Sequence, residues 1–333
     1  MLNVNELEFF RKKGYYKYPK TMQIEITTAC PLRCPQCFID DFNAKYMPTD
    51  NYIKLVDEAA RLGVKGVVLF GGEPLLHNMI VEFASYAIRK NITVFIYTSG
   101  WDIEKLFNLA KENRDKLKIL VSLNGSTKNI HELSRDNYDL TISAMQKLQE
   151  NGITYGVNWV SRHDNIDDLE NVIQVAKTHA ASYVNIVGNK ISSNYQVIEP
   201  LTKLDYQKLL KVYRNNIEYL RIENCNAYLQ NLTNQHNAFA GCTAGILNCS
   251  VTIDGSFVPC LRLIYPEVFS SIEEYWNHSM VLKKLREDKK GENDCLGCQY
   301  ENRCKYCKAL SKTTYFDFNA GISNCVIRGF KNE

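Results

Sequence analysis

The sequence lacks any apolar run long enough to cross a membrane, and it carries little net charge. No stretch of the 333 residues approaches the roughly 20 apolar residues that a membrane-spanning helix needs. The formal net charge of +3 is too balanced for a nucleic-acid groove or a membrane surface. The first residues show no apolar segment followed by small residues, so no secretory signal is predicted. These absences predict a globular cytoplasmic protein without nucleic-acid or membrane partners.

Cysteine, in contrast, is abundant. The chain has 12 cysteines, many of them only a few residues apart. Neighbouring cysteines at such spacings are poor disulfide partners but good ligands for one metal centre. Most of them lie in the last third of the chain, which reads as a second, metal-dependent module whose folding energy comes partly from metal ligation.

Six short apolar segments alternate with amphipathic helical segments before residue 190. The predicted strands are 22–27, 66–70, 92–98, 117–125, 153–160 and 182–187. Helices between successive strands predict right-handed crossovers and a parallel sheet, either an open doubly wound sheet or an incomplete barrel. In both architectures, function collects at the carboxyl ends of the strands. The alternation is expected to stop near residue 200, apart from one more helix at 203–220.

The first strand runs into three cysteines, Cys30, Cys34 and Cys37. A [4Fe–4S] cluster takes one thiolate per iron, so three cysteines leave one iron open to a substrate or cofactor. A zinc site with a distant fourth ligand is the alternative. The second strand ends in Gly-Gly-Glu-Pro at 71–74, which favours the cluster.

With these two motifs, residues 22 to about 190 resemble the radical S-adenosylmethionine (radical SAM) superfamily. The resemblance implies a partial (β/α)6 barrel and a cluster on Cys30, Cys34 and Cys37 that binds S-adenosylmethionine. It also implies a 5′-deoxyadenosyl radical that takes a hydrogen atom from the substrate, with electrons from flavodoxin or ferredoxin. The implied cofactor-binding residues are Gly71, Gly72, Glu73, Ser122 and Arg135. Gln36 replaces the usual aromatic residue, so Phe38 is expected to cover the adenine.

The later cysteines resemble the SPASM extension of radical SAM enzymes that modify peptides and proteins. By this resemblance, one auxiliary [4Fe–4S] cluster is held by Cys242, Cys249, Cys260 and Cys307. The other is held by Cys295, Cys298, Cys304 and Cys325. Zinc ribbons are the alternative. The predicted organisation is an extension at 1–20, the barrel at 21–200, a bridging segment at 201–240 and the SPASM domain at 241–333.

Two closed auxiliary clusters favour an oxidation, since they give the second electron a path. The expected substrate is a ribosomally made precursor peptide that acquires a C–S or C–C cross-link. About 20 residues precede the first strand, too few for a fused leader-binding domain, so the leader is expected to bind elsewhere or through a separate leader-binding protein. One alternative is an epimerase in which Cys225 donates hydrogen, although the favoured interpretation of Cys225 is a plain buried cysteine.

Three further alternatives remain open. One is a sulfatase-maturating enzyme, although Leu261 stands where those enzymes carry a catalytic Asp. The second is dehydrogenation of a small aminocyclitol-type substrate. The third is a non-enzymatic iron–sulfur carrier or zinc protein, which would have no use for the Gly-Gly-Glu-Pro motif. Trp159, Arg162 and His163 are candidates for lining the site, with structural roles equally expected.

Overall fold

The computed structural model describes residues 4–37, 39, 42–189, 201–223, 226–233, 241–287, 300, 304 and 306–309. Its strands are β1 (Thr21–Thr27), β2 (Gly66–Gly71), β3 (Thr93–Thr98), β4 (Leu117–Ser122), β5 (Tyr155–Ser161), β6 (Val184–Gly188), β7 (Leu220–Ile222), β8 (Asn248–Val251) and β9 (Phe257–Val258). Its α-helices are α1 (Val4–Lys13), α2 (Thr49–Arg61), α3 (Ile80–Arg89), α4 (Phe107–Glu112), α5 (Lys128–His131), α6 (Tyr138–Glu150), α7 (Leu169–Thr178), α8 (Lys203–Asn215), α9 (Ala227–Leu232), α10 (Ile272–His278) and α11 (Met280–Arg286).

The chain divides into two compact units. The first consists of Met1–Pro31, Asp41–Ile119 and Thr243–Asp288. The second consists of Leu32–Asp40, Leu120–Cys242 and Lys289–Glu333. This division differs from the predicted domain boundaries, which remain a prediction.

In the first unit, β1 lies between β2 and β8 and is parallel to both. β3 continues the sheet beyond β2 in the same direction, and β9 pairs antiparallel with β8. Met22, Ile24 and Ile26 alternate along β1 and are completely buried, as the period of a half-buried strand requires. Each such side chain contributes roughly 1.5–3 kcal/mol by leaving water.

In the second unit, β5, β6 and β7 form a parallel set. The predicted helix at 203–220 ends earlier, at Asn215, and the chain then forms β7 beside β6, with Leu220 opposite Val184. The strand–helix alternation therefore continues past residue 200, and the prediction that it stops there is wrong. A three-residue strand is too short to show a period, so the sequence pattern alone could not reveal β7.

The six predicted strands lie within a few residues of β1–β6, which confirms the α/β class with parallel strands. In the described part of the chain, the structure shows no helix with the length and apolar character that a bilayer crossing requires.

Candidate active site

The Gly-Gly-Glu-Pro turn packs directly on the backbone that enters the cysteine motif. The amide of Gly72 donates to the carbonyl of Thr27, and the amide of Glu73 donates to the carbonyl of Ala29, both at 2.8 Å. A Cβ atom would lie 2.0 Å from the Thr27 carbonyl oxygen if built on Gly71, and 2.2 Å from the Ala29 carbonyl oxygen if built on Gly72. The glycines are therefore required by the close approach of two backbone segments.

The Glu73 side chain is 2% exposed, and both of its carboxylate oxygens are fully engaged. One oxygen accepts from the hydroxyl of Thr98 at 2.7 Å and from the amide of Leu75 at 3.2 Å. The other accepts from the amide and the hydroxyl of Ser99, at 2.8 and 2.5 Å. Burial raises the pKa of the Glu73 carboxyl, and these four hydrogen bonds oppose that rise.

A carboxylate offers about four acceptor positions, and Glu73 has a donor at each. A contact between Glu73 and the ammonium group of a cofactor would therefore require one donor to be exchanged. In the structure, Glu73 joins the end of β2 to the Thr98–Ser99 turn after β3. Its role as a cofactor-binding residue stays a prediction.

The loop that carries Cys34 and Cys37 contacts the segment after α5. A tight turn places the amide of Cys37 on the carbonyl of Cys34 at 2.9 Å, and the amide of Gln36 donates to the carbonyl of Ser134 at 3.1 Å. The backbone amide of Asp136 donates to the Sγ atom of Cys34 at 3.4 Å. A thiolate in a metal cluster accepts such N–H donors, so this loop suits a cluster ligand.

The predicted carboxylate-binding residues, Ser122 and Arg135, both lie in the second unit. Ser122 is 5% exposed at the end of β4. The Nε atom of Arg135 is buried and has no hydrogen-bond partner among the described residues. A buried guanidinium N–H without an acceptor is costly, so it fits a site that a carboxylate completes.

Asn124 holds the loops after β4 and β5 together. It is completely buried; its amide group donates to the Ser134 hydroxyl at 2.8 Å, and its side-chain oxygen accepts from the Val160 amide at 3.1 Å. Its backbone carbonyl accepts from the side chain of Asn165 at 2.9 Å. The Asn in Ser-Leu-Asn-Gly therefore has a structural reason, because its side chain joins these two loops.

The three candidate lining residues have evident structural contacts. Trp159 is completely buried within β5. Arg162 forms an ion pair with Asp164, and Nδ1 of His163 lies 2.8 Å from the carboxylate of Asp205. These contacts favour the structural interpretation of all three.

Among the cysteines of the last third, Cys249 lies on β8 opposite Met22 of β1. It is completely buried, and burial raises the pKa of its thiol to about 12. A ligand must be deprotonated, so only the positive charge of bound metal would ionise this thiol at neutral pH. Cys260 accepts a hydrogen bond from the amide of Arg262 at 3.2 Å. Cys242 and Cys304 are partly exposed, whereas Cys307 is buried.

Some predicted residues lie outside the described part of the chain. These are Phe38, Cys225, Cys295, Cys298 and Cys325. Within the described part, no three or more His, Cys, Asp or Glu side chains converge as a single metal ion requires.

Sequence patterns did not reveal the partners of these motifs. The residues they missed are Thr98 and Ser99 beside Glu73, and Asp136 beside Cys34. The available signal was the Thr-Ser-Gly turn directly after β3, since polar residues at the carboxyl end of a parallel strand meet those of its neighbour. No sequence pattern signals the contact at Asp136.

We expect His131 to make the stability of the second unit depend on pH. The ring is completely buried, accepts from the Asn124 amide at 3.3 Å, and has its pKa lowered to about 4 by burial and by the Arg135 charge. A folded-state pKa below the ordinary 6.5 means that stability is lost as pH falls from about 6.5 toward 4. From about pH 7 to about pH 5, we expect a loss of about 2 kcal/mol in the free energy of unfolding.

Chemical unfolding at the two pH values measures this loss in the wild type and in His131→Gln, whose side-chain oxygen can still accept from the Asn124 amide. The loss should shrink by most of its size in His131→Gln and persist in the control His278→Gln, whose ring is exposed. Equal pH dependence in the wild type and His131→Gln would contradict the assignment.

Comparison with known proteins finds a radical SAM domain within the chain. Residues 24–176 match the sequence profile of the Radical SAM superfamily. The chain is 22% identical to the AdoMet-dependent heme synthase of Methanosarcina barkeri over 346 aligned positions, covering 93% of this chain and 97% of that protein. It is 29% identical to the PqqA peptide cyclase of Ruegeria pomeroyi over 164 positions, covering 47% of this chain and 44% of that protein.

A solved structure shares the fold of this chain. The crystal structure of Streptococcus suis SuiB bound to its precursor peptide SuiA superimposes with a TM-score of 0.77 at 16% identity. The match covers 94% of this chain and 77% of SuiB. A likeness at this level of identity shows the fold. Together, the profile match, the cysteine motif and the parallel strands show that the chain has the radical SAM fold and carries a radical SAM domain at residues 24–176.

Proposed function

We propose that the protein is a radical SAM enzyme that oxidises a ribosomally made peptide and installs a C–S or C–C cross-link. The names of two similar proteins support a peptide substrate, since one is a PqqA peptide cyclase and SuiB was crystallised with a precursor peptide. The superfamily match supports the use of S-adenosylmethionine and one [4Fe–4S] cluster.

The position of β8 is the observation that favours an oxidation over an epimerisation. Thr21–Ile24 of β1 pair with Asn248–Val251 of β8, and β1 runs on into the cysteine motif. Cys249 is therefore built into the same sheet as the strand that presents Cys30. This arrangement supports an auxiliary cluster that exchanges electrons with the site. An epimerisation returns hydrogen to the substrate and needs no such path.

The described residues suit the following roles. Cys30, Cys34 and Cys37 would hold the catalytic cluster, and the N–H of Asp136 would stabilise the Cys34 thiolate. With S-adenosylmethionine bound, this group supplies a carbon radical that removes a hydrogen atom. Arg135, whose buried Nε–H has no partner within the described part of the chain, would bind the cofactor carboxylate beside Ser122.

Further cofactor contacts and both auxiliary clusters are part of the proposal. The turn at Gly71–Glu73 would support the cofactor from the end of β2, with Phe38 against the adenine. Cys242, Cys249, Cys260 and Cys307 would hold one auxiliary cluster, and Cys295, Cys298, Cys304 and Cys325 the other. A flavodoxin or ferredoxin would supply electrons, and a separate protein would bind the leader peptide.

Cofactor loading and cleavage test the proposal. After anaerobic reconstitution, we expect about 12 iron atoms per chain, because each of three [4Fe–4S] clusters holds four. With dithionite and S-adenosylmethionine, the wild type should release 5′-deoxyadenosine. Replacing Cys30, Cys34 and Cys37 together by Ala should remove about four irons and abolish this product.

The matched control is Cys242→Ala, which leaves the catalytic cysteines intact. It should disturb an auxiliary cluster while 5′-deoxyadenosine is still formed. Absence of 5′-deoxyadenosine from the loaded wild type would overturn the radical SAM assignment. About four irons with bound zinc would instead support zinc ribbons in the last third.

Product mass separates the alternative reactions on a peptide. A cross-link removes two hydrogen atoms, whereas an epimerisation leaves the mass unchanged. Formylglycine formation replaces the side chain of one Cys or Ser by an aldehyde. Leu261 is 6% exposed and carries no proton acceptor, which disfavours the last reaction because its catalytic base is expected there.

The whole-length match to an AdoMet-dependent heme synthase favours a second candidate. That relative aligns over 93% of this chain, whereas the peptide cyclase aligns over 47%. The corresponding substrate would be an iron tetrapyrrole. A change in the optical spectrum of an added iron tetrapyrrole that requires S-adenosylmethionine, with no change in candidate peptides, would favour this function.

A further inference from the structure

The segment Ser134–Asp136 contacts the cysteine loop at three points. The Ser134 carbonyl accepts from the Gln36 amide at 3.1 Å. The Asp136 amide donates to Sγ of Cys34 at 3.4 Å, and the Asp136 carboxylate accepts from the amide of Arg33. Two of these contacts therefore come from one residue and meet two consecutive residues of the loop. We propose that Asp136 is a positioning residue for the catalytic cluster. Its carboxylate holds the Arg33 amide just before Cys34, and its own amide contacts the Cys34 sulfur.

The chemistry of each contact supports this role. A carboxylate that accepts from a backbone amide forms a charge-assisted hydrogen bond, about twice as strong as a neutral one. This bond fixes the chain immediately before Cys34. The N–H that points at the Sγ atom offsets the negative charge of a thiolate, and such bonds hold cluster ligands and set cluster potentials.

The segment that carries Asp136 is itself held in place. The Ser134 hydroxyl accepts from the completely buried Asn124, which also accepts from the Val160 amide at the end of β5. On the other side, the Asn137 side chain caps α6 by accepting from the Leu140 amide at 3.1 Å. The position of the Cys34 thiolate is thus tied to strand ends and to a helix start, so a displacement of Asp136 would loosen the thiolate.

This inference rests on the proposed function, because it takes Cys34 as a cluster ligand. A purely local contact would hold the loop with no effect on the cluster. The two roles differ in what Asp136→Ala should do to the cluster, and Asp136→Asn serves as the conservative variant. Its side-chain oxygen can still accept from the Arg33 amide, so the loop and the N–H to Cys34 should stay in place, whereas Asp136→Ala removes the anchor.

The experiment uses the anaerobically reconstituted full chain. In the reduced protein, the signal in electron paramagnetic resonance that changes on addition of S-adenosylmethionine reports only the cluster with an open iron. The measurement is the rate at which a ferrous chelator removes this signal. We expect about tenfold faster loss in Asp136→Ala and a rate near the wild type in Asp136→Asn. The matched control is Asp139→Ala, which removes an exposed carboxylate paired with Lys128.

Redox titration gives a second readout. Both Asp136 variants lose the same charge, so their difference isolates the N–H to the sulfur. We expect the cluster of Asp136→Ala to have a reduction potential about 59 mV lower than that of Asp136→Asn. This difference corresponds to a roughly tenfold smaller equilibrium constant for one-electron reduction. Two results would overturn this inference while leaving the proposed function intact. One is loss of the signal at the wild-type rate in Asp136→Ala; the other is loss in Asp136→Asn as fast as in Asp136→Ala. A wild type without any cofactor-responsive signal would overturn the proposed function, and the inference with it.

Discussion

Gly72→Ala should unfold at a markedly lower denaturant concentration and lose nearly all cleavage of S-adenosylmethionine. The added Cβ would lie 2.2 Å from the Ala29 carbonyl oxygen and 2.7 Å from that of Thr28. Neither obstacle is a flexible side chain, so the two backbone segments must separate and the Glu73-to-Ala29 hydrogen bond must break. We expect a loss of about 3 kcal/mol in the free energy of unfolding. Because Ala29 directly precedes Cys30, cluster loading should fall as well.

Gly188→Ala is the matched control for this substitution. Gly188 lies at the end of a parallel strand, β6, as Gly72 lies just beyond the end of β2, and a Cβ there would meet only ordinary contacts at 3.7 Å or more, with Asn226. It should stay within about 0.5 kcal/mol of the wild type. Guanidinium unfolding of the three proteins, with iron content measured on the same samples, tests the prediction. Gly72→Ala with the stability and iron content of Gly188→Ala would contradict the close approach at the turn.

The features that the sequence predicted are local ones. The alternation of buried side chains in β1 and the apolar run of β2 each lie within a few residues, so their period can be read without the fold. The Gly-Gly-Glu-Pro turn and the three cysteines are local in the same sense. Their places at the ends of β1 and β2 follow from the order of strands and helices.

The features that the sequence could not predict join distant positions. Asp136 and Cys34 are 102 residues apart, and Ser250 of β8 reaches Gln23 of β1 across 227 residues. Such pairs form only when the strands and loops pack in the folded chain. No local sequence period indicates which distant residues will meet. The short strand β8 has all four residues buried, so it shows no alternation that could have revealed its place beside β1.

Glu73→Ala should be among the most destabilising single substitutions in the first unit. It removes a carboxylate and leaves buried donors on Leu75, Thr98 and Ser99 without an acceptor. The two backbone amides cannot turn toward another partner. Leaving a buried donor unpaired costs about 1–3 kcal/mol, so we expect a total loss of about 4 kcal/mol in the free energy of unfolding. Glu73→Gln keeps the shape but turns an NH₂ group toward donors, and should lose about 2 kcal/mol.

The pH dependence of Glu73→Gln separates burial from other causes. Burial raises the folded-state pKa of the Glu73 carboxyl above the ordinary 4.5, so wild-type stability falls as pH rises from about 4.5 through that pKa. The amide does not titrate. The deficit of Glu73→Gln should therefore be largest near pH 4.5 and smaller near pH 7, and a deficit that grows with pH would contradict this sign.

The matched control, Thr98→Val, removes only one of the four donors. If Glu73 also contacts the ammonium of S-adenosylmethionine, Glu73→Gln should weaken cofactor binding at least tenfold more than Thr98→Val does, whereas equal affinities would leave Glu73 as the brace between β2 and β3.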